Sequence, residues 1–261
     1  MNIIVCIKQV PSIEDLKLRA GEEFNPQGFK RRANLFDIFA IEEAMTIKDQ
    51  FPQTVITLLS MGTDTARRCL IEGLAMGADK AYHIDSHGQH YDTIATARIL
   101  AAAIHKIEDI EGPADIIFAG NQATDSSSGM VPYMLSELLS RKLLSSAAET
   151  RLIDDYSKAE VTKRSLDRFE KAEGSFPLII SATKPNHEVR YPTFKRIREA
   201  NQAEIFVIDS SHLGQYTSAT EVIKVIKPGR DSKNSIVNDD DVEAGTRTLL
   251  HMLKEDKIFA R

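Results

Sequence analysis

At 261 residues, 42% of them hydrophobic, the chain suits one large domain, or one domain plus an appendage. A formal net charge of -5 and a pI near 5.8 argue against a general nucleic-acid binder, which carries a basic face. No apolar run approaches the roughly 20 residues of a membrane span. Cys6 falls in a strand pattern and Cys69 in a helical one, so both read as buried free thiols.

The N-terminus, M-N-I-I-V-C-I-K-Q-V, lacks the basic region, long apolar stretch and small-residue cleavage site of a signal peptide. It reads instead as a strand, Asn2 to Val10, of a cytoplasmic protein. Pro11 to Arg32 is polar, and Gly21, Pro26 and Gly28 mark a loop or hairpin excursion. Asn34 is placed to cap a helix, with Asp37 three positions on in a capping-box arrangement. Phe36, Ala40, Ala44, Ile47 and Phe51 then form one apolar stripe opposite Glu42, Glu43 and Lys48. A second strand, Thr54 to Leu59, is closed by Ser60, Met61 and Gly62, and a helix from about Thr63 to Met76 ends at Gly77. Lys80 to Ile84 is a third strand, and Ile94, Ala97, Ala101 and Ile104 mark the next helix.

Asp115 to Ala119 is an apolar strand closed by Gly120, and Met130, Val131, Met134, Leu135 and Leu138 repeat at helical spacing with Pro132 in the first turn. Between them lie Asp125, Ser126, Ser127, Ser128 and Gly129. Free N–H groups at a helix start, with hydroxyls and a glycine that admits close backbone approach, make an anion site at the carboxyl end of a strand. An ordinary cap, with Ser128 bonding the first-turn amides, is the alternative. The loop is neither of the common phosphate-binding fingerprints.

Alternating strands and helices predict an α/β, Rossmann-like architecture, a mainly parallel sheet with helices on both faces. Ligands then bind where the strands end, at Cys6 to Lys8, Ser60 to Gly62 and Gly120 to Gln122. After about Arg141 the pattern changes. Ala147 to Ile153 and Ala159 to Leu166 read as an added antiparallel hairpin turned at Asp154 and Asp155, and Gly174 is expected to turn the chain into a strand, Phe176 to Ala182. Lys184 to Gln202 is basic, with two prolines and two aromatics, and reads as exposed, either a partner surface or a solvated loop. A short strand, Glu204 to Ile208, precedes a turn-rich arm, Gly214 to Asp240, and a last amphipathic helix, Val242 to Leu253. Residues 1–208 are thus expected to form a nucleotide-binding domain, and 209–261 an arm packing on a partner subunit. His83, His87 and His90 share a loop without the carboxylate or cysteine pattern of a metal site, and no catalytic set is visible.

Five blocks carry a family resemblance: I-V-C-I-K-Q-V, A-N-L-F-D-I-F-A-I-E-E-A, G-A-D-K-A-Y-H-I, A-G-N-Q-A-T-D-S-S-S-G-M-V-P and H-E-V-R-Y-P-T-F. In this order, spread from Asn2 to about Ile208, they resemble the electron transfer flavoprotein beta-subunit (FixA) family. The resemblance implies a non-enzymatic electron carrier. It would form a heterodimer with an alpha subunit that holds most of the FAD. It would bind a structural AMP itself, accept electrons from acyl-CoA or other flavin dehydrogenases, and pass them to a quinone oxidoreductase or other acceptor. Nucleotide contacts are implied at Cys6, at Asn34, Leu35, Phe36 and Asp37, at Met61 and Gly62, and at Asn121, Gln122, Asp125, Ser126, Ser127, Ser128, Gly129 and Met130. A docking loop is implied at about 182–204, with Arg190, Tyr191, Phe194, Lys195, Arg196 and Ile197 facing the partner. Phe194 stands where the family often has leucine. Many members read D-G-D-T-G-Q-V-G-P for D-S-S-S-G-M-V-P, and N-E-P-R-Y for H-E-V-R-Y. The first departure leaves open a bifurcating member with a second FAD in place of AMP; the second leaves open the choice of dehydrogenase. An adenine-nucleotide hydrolase or stress-type ATP binder is the other class, opposed by the lack of a lysine-bearing phosphate loop.

Overall fold

The computed structural model describes residues 1–12, 23, 29–165, 167–226 and 241–255. Most of the expected excursion between Pro11 and Arg32, and most of the linker before α6, therefore lie outside the described residues. The elements in chain order are β1 (Asn2–Ile7), β2 (Gln9–Pro11), β3 (Arg31–Ala33), α1 (Leu35–Gln50), β4 (Val55–Gly62), α2 (Arg67–Met76), β5 (Lys80–Asp85), α3 (Thr93–Glu111), β6 (Ile116–Gly120), α4 (Val131–Leu138), β7 (Lys142–Ile153), β8 (Lys158–Arg164), β9 (Phe169–Ser175), β10 (Leu178–Ala182), α5 (Phe194–Ala200), β11 (Phe206–Asp209) and α6 (Val242–Glu255). They fall into two compact units, one of Met1–Lys17 with Asn25–Ile223 and one of Leu18–Phe24 with Lys224–Arg261.

In the first unit one sheet of nine strands runs β11-β5-β4-β1-β6-β10-β7-β8-β9. From β11 to β7 every pairing is parallel, and only β8 and β9 are antiparallel. The fold is α/β and Rossmann-like, as the alternating pattern predicts. Because the central strands are covered on both sides, they are buried along most of their length and mainly apolar rather than apolar only at alternate positions. In β1, Ile3, Val5 and Ile7 enter one core with Ile41, Leu58 and Phe118, while Ile4 and Cys6 enter the other with Leu59, Ile104 and Ile117. From β1 the chain passes through α1 to β4 on one side, and later crosses through α3 to β6 on the other. The junction of β1 and β6 is therefore the topological switch point, where the carboxyl ends of adjacent strands open a crevice.

Several sequence expectations need correction. The first strand stops at Ile7 instead of Val10, since the Lys8 N–H donates to Asp37 Oδ2 and the Lys8 carbonyl accepts from Asn34 N. Gln9–Pro11 then pairs antiparallel with Arg31–Ala33. Glu42 and Glu43 do not line an outer face of α1 but are buried, the first by a cation from a distant segment. Only β8 and β9 make the added part antiparallel, because β10 inserts between β6 and β7, parallel to both. Gly174 is no turn: it lies within β9 opposite Ala159, where a side chain would press on Leu178 at 3.3 Å. The exposed basic segment ends in a short helix, α5, capped by Thr193 Oγ1, which accepts from Arg196 N at 3.3 Å.

In the second unit α6 buries none of its residues, leaving Val242, Leu249 and Leu250 exposed. Glu23 bridges Ile226 there, and its carboxylate lies 3.5 Å from Lys224 Nζ. No helix among the described residues is long and apolar enough to cross a membrane.

Candidate functional site: the strand ends at the β1–β6 junction

Two side chains from the start of α1 knit this junction together. Asn34 is buried and makes no cap for its own helix, so the capping box expected with Asp37 does not form. Its Nδ2 donates to Asp37 Oδ1 at 2.9 Å and to the Gln122 carbonyl at 2.9 Å, while its Oδ1 accepts from Thr124 N at 3.1 Å. Asp37 in turn accepts from Lys8 N at 2.6 Å and from Gly120 N at 3.1 Å. These bonds join the ends of β1 and β6 to each other and to the loop that follows. Burial pushes the Asp37 carboxyl up to about 7, against N–H donors that favour its charged form. Gly120 is required here by space, since a Cβ on it would stand 2.2 Å from Asp37 Oδ1 and 2.9 Å from the Phe36 backbone.

Above this floor the loop runs outward. Asn121 N donates to Ala182 O at 2.8 Å, and Asn121 Oδ1 accepts from the Ser146 and Ser181 hydroxyls at 3.2 and 3.3 Å. Ser127 N donates to Ala123 O at 2.7 Å, and Ser127 takes a left-handed φ of 53°. Asp125, Ser126, Ser127 and Ser128 are exposed. Ser128 does not cap α4; Met130 occupies that position without a side-chain bond, and Pro132 sits in the first turn as expected. Gly129 has φ of 63°, and a Cβ there would press on Asn121 O at 3.1 Å. The rim therefore presents hydroxyls, first-turn amides and a backbone free of a side chain, which is the donor set of an anion site.

Lys8, expected at a strand end but not among the nucleotide contacts, adds a cation: its Nζ lies 2.8 Å from both oxygens of Asp125. Its place at the end of a strand was the available signal. Ser146 and Ser181 gave none, because their meeting with Asn121 depends on the register shift between β10 and β7. The other expected residues distribute unevenly. Cys6 is buried in the core beneath the site, its thiol pushed up to about 12 by burial and by the nearby Asp37. Met61 and Gly62 close β4 and are half-buried, Leu35 is exposed, and Phe36 packs edge-on against Phe39 at 5.9 Å. Cys69 is likewise a buried free thiol. Among the described residues there is no cluster suited to a metal ion. His83 instead contacts Gly62 O at 3.2 Å, and His87 Nε2 lies 3.0 Å from Asp209.

The expected docking residues separate into two sets. Tyr191 and Phe194 are 94% and 93% exposed, and Lys195 is exposed beside Glu199. Arg190 turns inward to Glu42 and Asp49, and Arg196 Nη1 reaches Met76 O at 3.5 Å. Arg196 lies over Gly77, where a Cβ would meet it at 2.5 Å. Ile197 is exposed at 40%.

The family model described as "Electron transfer flavoprotein domain" matches residues 24–217, a span that includes the switch-point loop and the exposed aromatics. The chain belongs to the electron transfer flavoprotein family. It is 34% identical to the electron transfer flavoprotein subunit beta of Megasphaera elsdenii over 99% of this chain and 100% of that one. It is also 32% identical to Protein FixA of Azotobacter vinelandii over 90% of this chain and 87% of that one. A further relative, 28% identical over 99% of this chain and 100% of its own length, is the caffeyl-CoA reductase-Etf complex subunit CarD of Acetobacterium woodii. As an electron transfer flavoprotein subunit of the beta/FixA type, the chain is an electron carrier rather than an enzyme.

Proposed function

We propose that this electron transfer flavoprotein subunit works in the cytoplasm as the beta half of a heterodimer. It holds a structural AMP at the β1–β6 strand ends, while an alpha subunit carries most of the FAD. The observation that carries this reading is the knitted junction itself. Asn34 and Asp37 fix the ends of β1 and β6, and loop 121–130 is left with exposed hydroxyls, a positive-φ glycine and the Lys8 ammonium around one opening. Lys8, the first-turn amides of α4 and the Ser126 to Ser128 hydroxyls would receive the phosphate, and Gly129 would give it room. The heterodimer takes electrons from acyl-CoA or other flavin dehydrogenases through the exposed Tyr191 and Phe194, and delivers them to a quinone oxidoreductase or other acceptor. The arm beyond residue 208, with the uncovered apolar positions of α6, packs on the alpha subunit.

The flavin supplies the redox chemistry, and this chain supplies position and docking. Expressing the chain with and without the alpha subunit, and measuring bound flavin by absorbance, tests the division of labour. Stoichiometric flavin should appear only in the co-expressed complex. A lone chain that purifies yellow with stoichiometric FAD would overturn it.

A further inference from the structure

Two adjacent acids in a helix lying on an apolar sheet are costly to bury, yet Glu42 and Glu43 are only 3% and 1% exposed. The Glu42 carboxylate makes its close hydrogen bonds with one residue from far along the chain, Arg190, and His187 lies farther off, at 4.0 Å. Arg190 N donates to its Oε2 at 3.0 Å, Nε to Oε2 at 3.0 Å and Nη2 to Oε1 at 3.0 Å. The same guanidinium reaches Asp49 Oδ2 at 2.7 Å. Glu42 and Asp49 are seven positions apart, on one face of α1, and so hold the planar fork at both edges.

Beside Arg190, Val189 packs against the core and His187 Nε2 lies 4.0 Å from Glu42 Oε1 and 3.9 Å from Glu43 Oε1, but the shorter polar contacts are those of Arg190. Residues 184–193 belong to no helix or strand. Asn186 N donates to Ala148 O at 3.1 Å, and Thr193 starts α5. Between those points, among the described residues, the hydrogen bonds that tie the segment to the rest of the chain run through Arg190. Its neighbours Tyr191 and Phe194 project almost wholly into solvent. An exposed aromatic pair binds a partner strongly only if its backbone is already ordered, because ordering it on contact subtracts from affinity.

We infer that Glu42, with Asp49, is the positioning residue of the partner-recognition segment: through Arg190 it holds Tyr191 and Phe194 in the arrangement that meets a dehydrogenase. This rests on the docking role given above. Arg190 thus serves recognition from inside the chain, as a tether and not as a rim charge. The helix that anchors it is also the one whose Asn34 and Asp37 close the strand-end site, so both functional regions are referenced to α1.

The test uses the co-expressed heterodimer with Glu42→Gln, which keeps the side chain's shape and removes its charge, and Glu42→Asp, which keeps the charge. Asp49→Asn, at a side chain 60% exposed, is a second variant whose folding is not at risk. The electron donor is an acyl-CoA dehydrogenase reduced by its own acyl-CoA. For Glu42→Gln, KM for the flavoprotein should rise on the order of tenfold with kcat within about twofold. Glu42→Asp should recover part of that loss, and Asp49→Asn should shift KM the same way by less. Trypsin should cut after Arg190 faster in both charge-removing variants, since cleavage needs that side chain withdrawn from its pocket. Unchanged KM and unchanged cleavage would overturn the inference, as would a KM rise that follows lost nucleotide or a lowered melting temperature. If the wild-type complex takes no electrons from that dehydrogenase, the docking reading fails. The rate of cleavage at Arg190 then still decides whether Glu42 and Asp49 hold the segment.

Discussion

The strand-end junction and the 184–200 segment solve opposite problems with the same helix. At the junction, polar groups are buried and mutually satisfied: Asn34 and Asp37 accept or donate bonds to Lys8, Gly120, Gln122 and Thr124, so the geometry is over-determined. In the segment, Tyr191 and Phe194 are exposed, and among the described residues the hydrogen bonds to the rest of the chain come from Asn186, Arg190 and Arg196. A ligand that must stay calls for the first arrangement. A partner that must come and go calls for the second, where a few exposed side chains dominate a small interface. Substitutions in the two regions should therefore separate stability from docking.

The largest effect is expected at Gly120. A Cβ there collides with Asp37 and with the Phe36 backbone, atoms that cannot swing away. Gly120→Ala should cost about 3 kcal/mol in thermal or denaturant unfolding, at the upper end for overpacking, and should strip the complex of nucleotide.

Next comes Asp37, through pH. Its folded value of about 7 lies above the ordinary 3.8 because burial disfavours the charged form, and Glu43 is pushed from 4.5 to about 7 for the same reason. In that window the folded chain binds more protons than the unfolded one. Stability from these groups is thus complete below about pH 4 and lost as pH rises through about 7. Asp37→Asn should flatten this slope, leaving the part due to Glu43. It should also lower stability at pH 6, since an amide cannot accept from Lys8, Gly120 and Asn34 together. Urea unfolding of both proteins from pH 5 to 8 checks the two statements.

Phe194→Ala isolates the other region. At 93% exposure the ring contributes little to folding, so the melting temperature should stay put. Affinity for the dehydrogenase should fall about thirtyfold, the equivalent of about 2 kcal/mol, measured as KM for the flavoprotein. An unchanged KM in a stable protein would remove the anchor role. The smallest overall effect is expected for Asp125→Ala, whose ion pair with Lys8 is substantially exposed. It should cost about 0.5 kcal/mol or less, yet lower nucleotide retention by altering the rim. Equal retention in wild type and variant would place Asp125 outside the site.

Much of this architecture is legible in the amino-acid order. The apolar runs at Asn2, Thr54 and Asp115, each leading through polar or small residues to a helical pattern, point to the parallel sheet and to the strand ends where the site is proposed. What was not legible depends on contacts between distant residues. Glu42 and Glu43 look like solvated acids until Arg190, 148 positions from Glu42, is brought against the first of them. Asp37 looks like a capping acid, but the N–H groups it satisfies belong to Lys8 and Gly120. The place of β10, between β6 and β7, cannot be read from a local pattern, because Gly174 resembles a turn until its buried position against Leu178 is seen. Phe194 was legible as an aromatic in a basic segment read as exposed, and its ring is 93% exposed.

The central claim is that this subunit holds an adenine nucleotide of its own at the β1–β6 junction, apart from the flavin of its partner. Denaturing the purified heterodimer and separating the released small molecules by chromatography addresses it directly. AMP and FAD in equal amounts, with AMP lost from the Gly120→Ala complex, is the predicted outcome. Two FAD without AMP would replace the nucleotide proposed for the site, and no adenine nucleotide beyond a single FAD would contradict the assignment altogether.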